Sequence, residues 1–517
     1  MNDSSFETIP TPVTKIVNPS FEELNEMIAK MPNAKKTEFG NFNIFTKVHS
    51  RSAPNTFVVS GDPESVGKPA ISKVDADRFA QMQNDYISKN KMIIIEGYIG
   101  NDPEARIKAK LMIEPVASNI AAMQKTLYYP LEEGDDSEPK INVIYTPGLK
   151  AKGFSDDRLI AVDLDHNVTR IFNSDYFGES KKAGLRMWNK IVYDRGGIPL
   201  HAGAKIIPTD KGEKTILIIG LSGTGKTTTT FTVQNNSRPV QDDFLALMSD
   251  GKVFATEAGC FAKTFGLNPD TEKAIYDATV NPNSYLENVS QDENGKVDFF
   301  DTSFTKNGRS VFSLDLIENA GKTSDIKKAD ALIILNRNEN IIPAVCKLSK
   351  IQAAAYFMLG ETTGTSAGGK SEEGKALRIP GTNPFFPMPD DFQGNRLQEI
   401  LDQIDLDVYI MNTGRVGGPT DIESSKKIKI PHSSAIVEGI AFDSIKWEED
   451  SDFGYLRASD VPGISEEDND LLNPKQLYET SGRLNEYVAI MESLKKERKE
   501  FLAKFSKLNK EILESIE

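Results

Sequence analysis

Cysteine is nearly missing from this 517-residue chain. Only Cys260 and Cys346 occur, which excludes a disulfide framework and suits a reducing compartment. Long apolar runs are missing too, and none reaches the length needed to span a bilayer. Positive charge is in deficit: 61 Lys and Arg against 76 Asp and Glu give a net charge of −15 and a pI near 5.0. Nucleic acids and membrane surfaces are anionic and call for clustered cations, so neither is an expected partner, and any phosphate site must be local. Residues 1–12 are polar and contain acids, unlike a secretory or transit leader. Internal repeats are absent. The expectation is a soluble, cytoplasmic protein that handles a small molecule as a monomer or small homo-oligomer.

A chain of this length predicts two main domains, each able to bury its own core. Up to about Arg195, a helical pattern at residues 21–31 alternates with strand-like runs at 92–99 and 141–145, an α/β composition. Residues 132–140 are acidic, with Gly134 and Pro139, and read as a solvated loop. From Gly196 a second region begins. Its runs at 204–208 and 215–219, joined by Asp210-Lys211-Gly212, predict a hairpin, and 331–335 and 406–411 read as further strands of a core sheet. Residues 362–383 are rich in Gly, Ser and Thr and predict a long loop, suited to act as a lid. At the end, Leu484, Val488, Met491, Leu494, Phe501, Leu502, Phe505, Leu508 and Ile512 fall near one face of a helix over 484–516. That stripe docks on the body of the protein or, alternatively, forms a coiled-coil dimer.

The chemistry is concentrated in Gly220-Leu221-Ser222-Gly223-Thr224-Gly225-Lys226-Thr227, which fits G-x-x-x-x-G-K-[ST] directly after the strand-like 215–219. Glycines let backbone N–H groups turn in around phosphate oxygens, and the helix that follows presents its positive end to the anion. Lys226 would reach the β- and γ-phosphates, and Thr227 would bind the accompanying Mg²⁺. Downstream, Asp242-Asp243 could be a second acidic element for metal, although the apolar run before it is too short for a persuasive strand of that kind. His201, one of four histidines, stands in Ile198-Pro199-Leu200-His201-Ala202-Gly203 and is a candidate metal ligand, although a satisfied core histidine is the first reading of such a position taken alone.

Taken together these segments resemble the ATP-dependent phosphoenolpyruvate carboxykinase family. Its phosphate loop reads G-L-S-G-T-G-K-T-T, its acidic element contains a D-D pair, and G-C-Y-A-K-T follows, as Gly259-Cys260-Phe261-Ala262-Lys263-Thr264 does here. Tyr176-Phe177-Gly178-Glu179-Ser180-Lys181-Lys182 is similar to the family's Y-G-G-E-M-K-K. Ile275-Tyr276, Leu286-Glu287-Asn288-Val289, Asn307-Gly308-Arg309 and Met411-Asn412-Thr413-Gly414 continue the likeness in order.

The resemblance implies a two-domain, carboxykinase-type α/β fold with mixed sheets: an N-terminal substrate-side domain over 1–195, a P-loop-containing nucleotide-binding domain over 196–475 with a lid at 362–383, and a helical extension over 476–517. It implies decarboxylation of oxaloacetate and phosphoryl transfer from ATP, a gluconeogenic reaction. Lys182, His201 and Asp243 would hold Mn²⁺, Thr227 would hold Mg²⁺, and Asp242 would order water beside them. Lys226, Lys263 and Arg309 would neutralise phosphate charge, Glu272 would sit near the nucleotide, and Arg51 and Tyr176 would grip the substrate. Two departures stand out. Ser50-Arg51-Ser52-Ala53-Pro54-Asn55 keeps the Arg-Ser of the family's G-R-S-P-K-D but loses its Lys-Asp, and Lys427 and Ser433 stand where the family has Arg and Thr at the adenosine end. The phosphate loop lacks the cysteine of the GTP-dependent enzymes, which favours ATP. The competing readings are another P-loop kinase, which would need a base for its acceptor and not the Lys182, His201 and Asp243 set, and a non-catalytic nucleotide-binding regulator.

Overall fold

Apolar runs that face protein on both sides organise the molecule. In the computed structural model, which describes residues 5–63, 66–221, 223–363 and 375–516, two eight-stranded mixed sheets carry these runs. The first has the order Thr14–Val17, Lys91–Ile99, Ile107–Ile113, Ile141–Thr146, Val168–Phe172, Leu159–Asp163, Thr56–Ser60 and Ala70–Ser72. Alternate residues of Lys91–Ile99 serve different cores: Ile93 and Ile95 pack with the helices Ser118–Leu127 and Phe177–Asp194, whereas Met92 and Ile94 pack with Phe79 and Ala80 of the helix Lys73–Ile87. A strand covered on both faces has no polar side to show, hence its continuous hydrophobicity.

The second sheet runs Arg238–Gln241, Ala202–Thr209, Gly212–Ile219, Ala331–Asn336, Asp407–Asn412, Val345–Leu348, Leu456–Asp460 and Lys446–Glu449. Leu217, Ile219, Leu332, Ile334, Val408 and Ile410 face the helices Lys350–Leu359 and Asp391–Gln403, while Ile216, Ile218, Ile333 and Met411 face the helix Ile430–Ala441. Each such side chain, fully buried, contributes roughly 1.5–3 kcal/mol. The expected hairpin is present, with Thr209 opposite Gly212. A third sheet joins Gly259–Lys263, Arg309–Ser313 and Tyr285–Glu287 to Phe42–Ile44 and Ala34–Lys36, so residues from both sides of position 195 share one sheet.

Two expectations need correction. Residues 362–383 are not loop throughout: Glu361–Thr363 pairs with Ala376–Arg378, Thr362 standing opposite Leu377, and Pro380–Thr382 forms a 3-10 turn. Of the stretch expected to form the lid, residues 362–383, the part 364–374 lies outside the described residues. The tail is also not one helix. Leu484–Leu502 ends at a turn and a short helix, Lys510–Glu514, follows, which lets Leu502, Leu508, Ile512 and Ile516 reach the core of the second sheet. Leu484 and Val488 are 37% and 38% exposed, so the buried stripe starts later than the periodicity suggests. Among the described residues no helix is long and apolar enough to cross a membrane.

Candidate active site

Strand register gathers distant stretches at one end of the second sheet. Ala202 stands opposite Ile219, and Ala204 opposite Gln241. His201, the phosphate loop and Asp242-Asp243 therefore meet there. Ala331–Asn336 and Asp407–Asn412 run parallel to Gly212–Ile219 and end on the same side, the carboxyl edge where α/β sheets hold ligands.

The loop is shaped by its glycines. A Cβ on Gly220 would lie 2.5 Å from Thr224 Oγ1 and 3.0 Å from Leu335 Cβ, and Gly225 caps the helix Lys226–Phe231 at φ 94°, a conformation that disfavours side chains. The Thr224 hydroxyl donates to Leu221 O at 2.7 Å, while Thr224 O accepts from Thr413 Oγ1 at 2.7 Å and Gly223 O from Arg337 Nη1 at 2.8 Å. Ser222 lies outside the described residues. Beneath the helix, the fully buried Lys205 donates to Thr229 O at 3.0 Å, Thr232 O at 2.5 Å and Gln234 Oε1 at 2.5 Å, capping its carboxyl end. Thr228 donates to Glu272 Oε1 at 2.5 Å, which ties Glu272 to the loop.

Asp243 is the hub. Lys226 Nζ reaches its Oδ1 at 2.6 Å and His201 Nε2 the same oxygen at 2.8 Å, while Lys181 Nζ reaches Oδ2 at 2.8 Å and Lys182 Nζ makes a very close contact with that oxygen. Burial alone would raise the Asp243 carboxyl, but Lys181, Lys182 and Lys226 drive it well below the usual carboxylate range. The two adjacent lysines diverge. Burial lowers Lys182 to about 7, against the pull of Asp243 and with the charges of Lys181 and Lys226 adding to the drop. Lys181 is buried too, but it has a second carboxylate, Glu257 at 2.8 Å, and is raised instead. Burial, with the charge of Lys226, pushes His201 down to about 4, and its Nδ1 is engaged by Thr382 O at 2.8 Å. Asp242, beside the Thr227 hydroxyl, is raised by burial, and its Oδ1 has no hydrogen-bond partner among the described residues.

An imidazole, a carboxylate and an amine able to lose its proton form a donor set that fits a divalent cation. Among the described residues no three His, Cys, Asp or Glu side chains group around a metal position, so a cation at Asp243 would draw on the lysine amine as well as His201. The orphaned oxygen of Asp242 adds an acceptor next to Thr227.

A cationic wall stands beside this hub. Lys263 and Arg309 are direct cross-strand partners. Arg309 is buried, with Nη2 donating to Asn307 Oδ1 at 2.8 Å and the guanidinium 5.1 Å from the Phe261 ring. Asn307 in turn donates to the Tyr176 hydroxyl at 3.3 Å and to His49 O at 2.5 Å, joining the Tyr176 and Arg309 segments to the turn that carries His49. Tyr176 caps the start of the helix Phe177–Asp194, whose first N–H, on Phe177, is taken by Glu287 Oε1 at 2.9 Å. Arg51 packs against Phe385, 5.8 Å from its ring, and Lys182 lies 4.5 Å from the same ring.

Lys427 and Ser433 lie on segments that reach the loop indirectly: the Ile428 N–H donates to Gly414 O, next to Thr413. Lys427 is exposed on a two-stranded ribbon opposite Arg415, and Ser433 is half-buried in the first turn of Ile430–Ala441; neither hydrogen-bonds the described residues of the loop. Sequence reasoning missed Lys181, Glu257 and Phe385. The Lys-Lys pair offered a signal for Lys181, whereas Phe385 lay just beyond a stretch read as structureless.

A phosphate loop facing a carboxylate ringed by amines and imidazole, with a cationic wall alongside, defines a nucleotide-dependent phosphoryl-transfer site on a mixed α/β fold. The family described as phosphoenolpyruvate carboxykinase matches residues 14–467, and the chain belongs to it. Relatives named phosphoenolpyruvate carboxykinase (ATP) include one from Aeropyrum pernix, 28% identical over 91% of this chain and 93% of its own length. One from a Bradyrhizobium species is 30% identical over 82% and 80%, and one from Geobacillus thermodenitrificans is 27% identical over 90% and 90%.

Proposed function

We propose that the protein is an ATP-dependent phosphoenolpyruvate carboxykinase that converts oxaloacetate and ATP to phosphoenolpyruvate, ADP and carbon dioxide, a gluconeogenic step. The observation that carries this reading is Asp243, contacted at once by the phosphate-loop lysine Lys226 and by Lys182 and His201. A kinase acting on a hydroxyl needs a base at its acceptor, not an amine and imidazole around a carboxylate. Membership of the family over most of the chain supports the same reading.

Loss of the C4 carboxylate as carbon dioxide leaves its bonding electrons on an enolate of pyruvate. The enolate oxygen then bonds to the γ-phosphorus as the bond to ADP breaks. Mn²⁺ held by Lys182, His201 and Asp243, and Mg²⁺ held by Thr227, would supply Lewis-acid stabilisation and neutralise charge between two anionic reactants. Lys226, Lys263 and Arg309 stabilise the negative charge spread over the phosphoryl oxygens during transfer. Arg51 and Tyr176 hold the substrate, Arg51 by a charge-assisted bond to carboxylate. Asp242 would order water near the metals. Glu272 orients the nucleotide through Thr228, and Lys427 and Ser433 serve its adenosine end. A cytoplasmic location suits two unpaired, buried cysteines.

The test is purified protein with oxaloacetate, ATP, Mg²⁺ and Mn²⁺, with GTP as comparison. Phosphoenolpyruvate formation preferring ATP is expected. No product across varied metal and pH would overturn the assignment.

A further inference from the structure

On the helix Phe177–Asp194, Glu179, Lys182 and Arg186 are spaced three and four residues apart and so share one face. Glu179 is fully buried and spends Oε1 on the backbone N–H of Ser52, at 2.5 Å, which draws the Arg51 turn onto this face. Its other oxygen lies 3.5 Å from Arg186 Nη2, long for a charged pair, which normally closes to about 2.7–2.9 Å. Arg186 is itself buried, and its Nη1 has no hydrogen-bond partner among the described residues.

Arg309, in the site, likewise leaves its Nε without a partner among the described residues, whereas the two buried arginines outside it, Arg170 and Arg498, behave differently. Arg170 donates to the carbonyls of Ser5, Phe6 and Thr8 and to the side chains of Gln83 and Asn84. Arg498 engages both oxygens of Glu361 and the Tyr356 hydroxyl. A guanidinium kept from water with a donor unmet is costly unless something else completes it. Arg186 also has a like charge for a neighbour: its guanidinium lies 5.7 Å from the Phe385 ring, against which Arg51 packs at 5.8 Å and Lys182 at 4.5 Å, and the charge of Arg51 adds to burial in disfavouring its protonated form. Converging cations with an unmet donor fit an anion, and the planar fork of a guanidinium matches a carboxylate.

We propose that Arg186 is a second carboxylate-binding residue of the substrate subsite, acting with Arg51 on a small dicarboxylate. This rests on the reading of the site as one for oxaloacetate and adds a residue to it. The competing source of negative charge is the phosphate of the nucleotide, and the two make different demands.

The experiment compares the parent with Arg186→Lys, which keeps a charge beside Glu179, and with Arg186→Gln. Oxaloacetate and ATP dependences are measured separately, and oxalate, a dicarboxylate that does not react, is titrated by calorimetry without turnover. Expected are increases of about ten- to a hundredfold in the KM for oxaloacetate and the Kd for oxalate, with the KM for ATP within about twofold of the parent and the melting temperature of Arg186→Lys retained. The proposal is overturned if oxalate binds the folded Arg186→Lys variant as tightly as the parent, if the ATP dependence rises equally, or if the parent does not bind oxalate. A parent that binds oxalate but forms no phosphoenolpyruvate defeats the assigned reaction, while the oxalate titration still decides the role of Arg186.

Discussion

Lys182 has to serve two states of the site. Without ligand its ammonium is a counter-ion of Asp243; as a metal ligand it must offer a lone pair, which burial and the neighbouring charges of Lys181 and Lys226 make accessible by lowering its proton affinity to about 7. An arginine would keep the charge but has no lone pair to give. Lys182→Arg is therefore expected to fold and bind ATP yet to lose Mn²⁺-supported turnover by about a hundredfold or more; Mn²⁺ titration checks it, and parental Mn²⁺ use would remove Lys182 from the ligand set. Glu287 presents the opposite case. Burial pushes its carboxyl up to about 8, with nearby Asp175 adding to the rise and Arg309 and the Phe177 N–H opposing it, and its Oε2 has no partner among the described residues. The folded protein thus holds a proton that the unfolded chain releases above the usual value near 4.5. Stability is fullest below that value and is lost as pH rises through about 8. Glu287→Gln keeps an acceptor for Phe177 without the titration, so denaturant melts at about pH 5 and about pH 8.5 should show the parent losing stability relative to the variant. A difference that stays flat with pH would mean that Glu287 is ionised when folded.

Among elements, the tail is held by a buried ion pair as well as by its apolar stripe. Arg498, from Leu484–Leu502, meets Glu361 through Nε at 2.9 Å and Nη2 at 2.7 Å, and Arg378 meets the same carboxylate at 3.1 Å from the other strand of the hairpin. Removing one partner of such a pair leaves a charge poorly compensated in the interior, at a cost of about 3–5 kcal/mol. Arg498→Met should raise hydrogen exchange in Leu484–Leu502 and at the Glu361–Thr363 strand while leaving Ala331–Asn336 protected, and adding Glu361→Gln should recover part of the loss. Unchanged exchange in the tail would mean that its apolar contacts suffice. The periodicity found this helix but not its end, because the turn after Leu502 follows from docking against Lys350–Leu359, a tertiary cause. Strands were legible where both faces are buried, as in Ala331–Asn336 and Asp407–Asn412, since the apolar run is then unbroken. The three-residue strands Ala34–Lys36 and Phe42–Ile44 have too little pattern to read: Phe42–Ile44 owes its place to pairing with Tyr285–Glu287 across a long stretch of chain, and Ala34–Lys36 pairs in turn with Phe42–Ile44. Site residues were legible where they lie in motifs. Phe385 and Arg186 carry no local signature, because their role arises only when the helix Phe177–Asp194 meets the segment following Pro380–Thr382.

At the scale of the molecule, Asp243 links the helix packed on the first sheet to the phosphate loop of the second, inside a protein whose overall charge is −15 while its site is cationic. Field lines from such a cluster are focused where the surroundings exclude water, so an anionic substrate is attracted locally despite the net charge. Before ligand arrives, Asp243 is the carboxylate that Lys182 and Lys226 both contact. A triphosphate arriving without metal must compete with it for Lys226. The Asp243→Asn variant removes that competitor and leaves the two lysines less compensated, so it should melt lower than the parent without ligand and lose turnover. Metal-free ATP should then raise its melting temperature by more than it raises the parent's, because the phosphates restore the missing negative charge and binding to the folded state alone stabilises it. Thermal melts with ATP in the presence of a chelator measure both shifts. A smaller ATP shift in the Asp243→Asn variant would mean that the carboxylate orders the lysines for phosphate instead of competing for them.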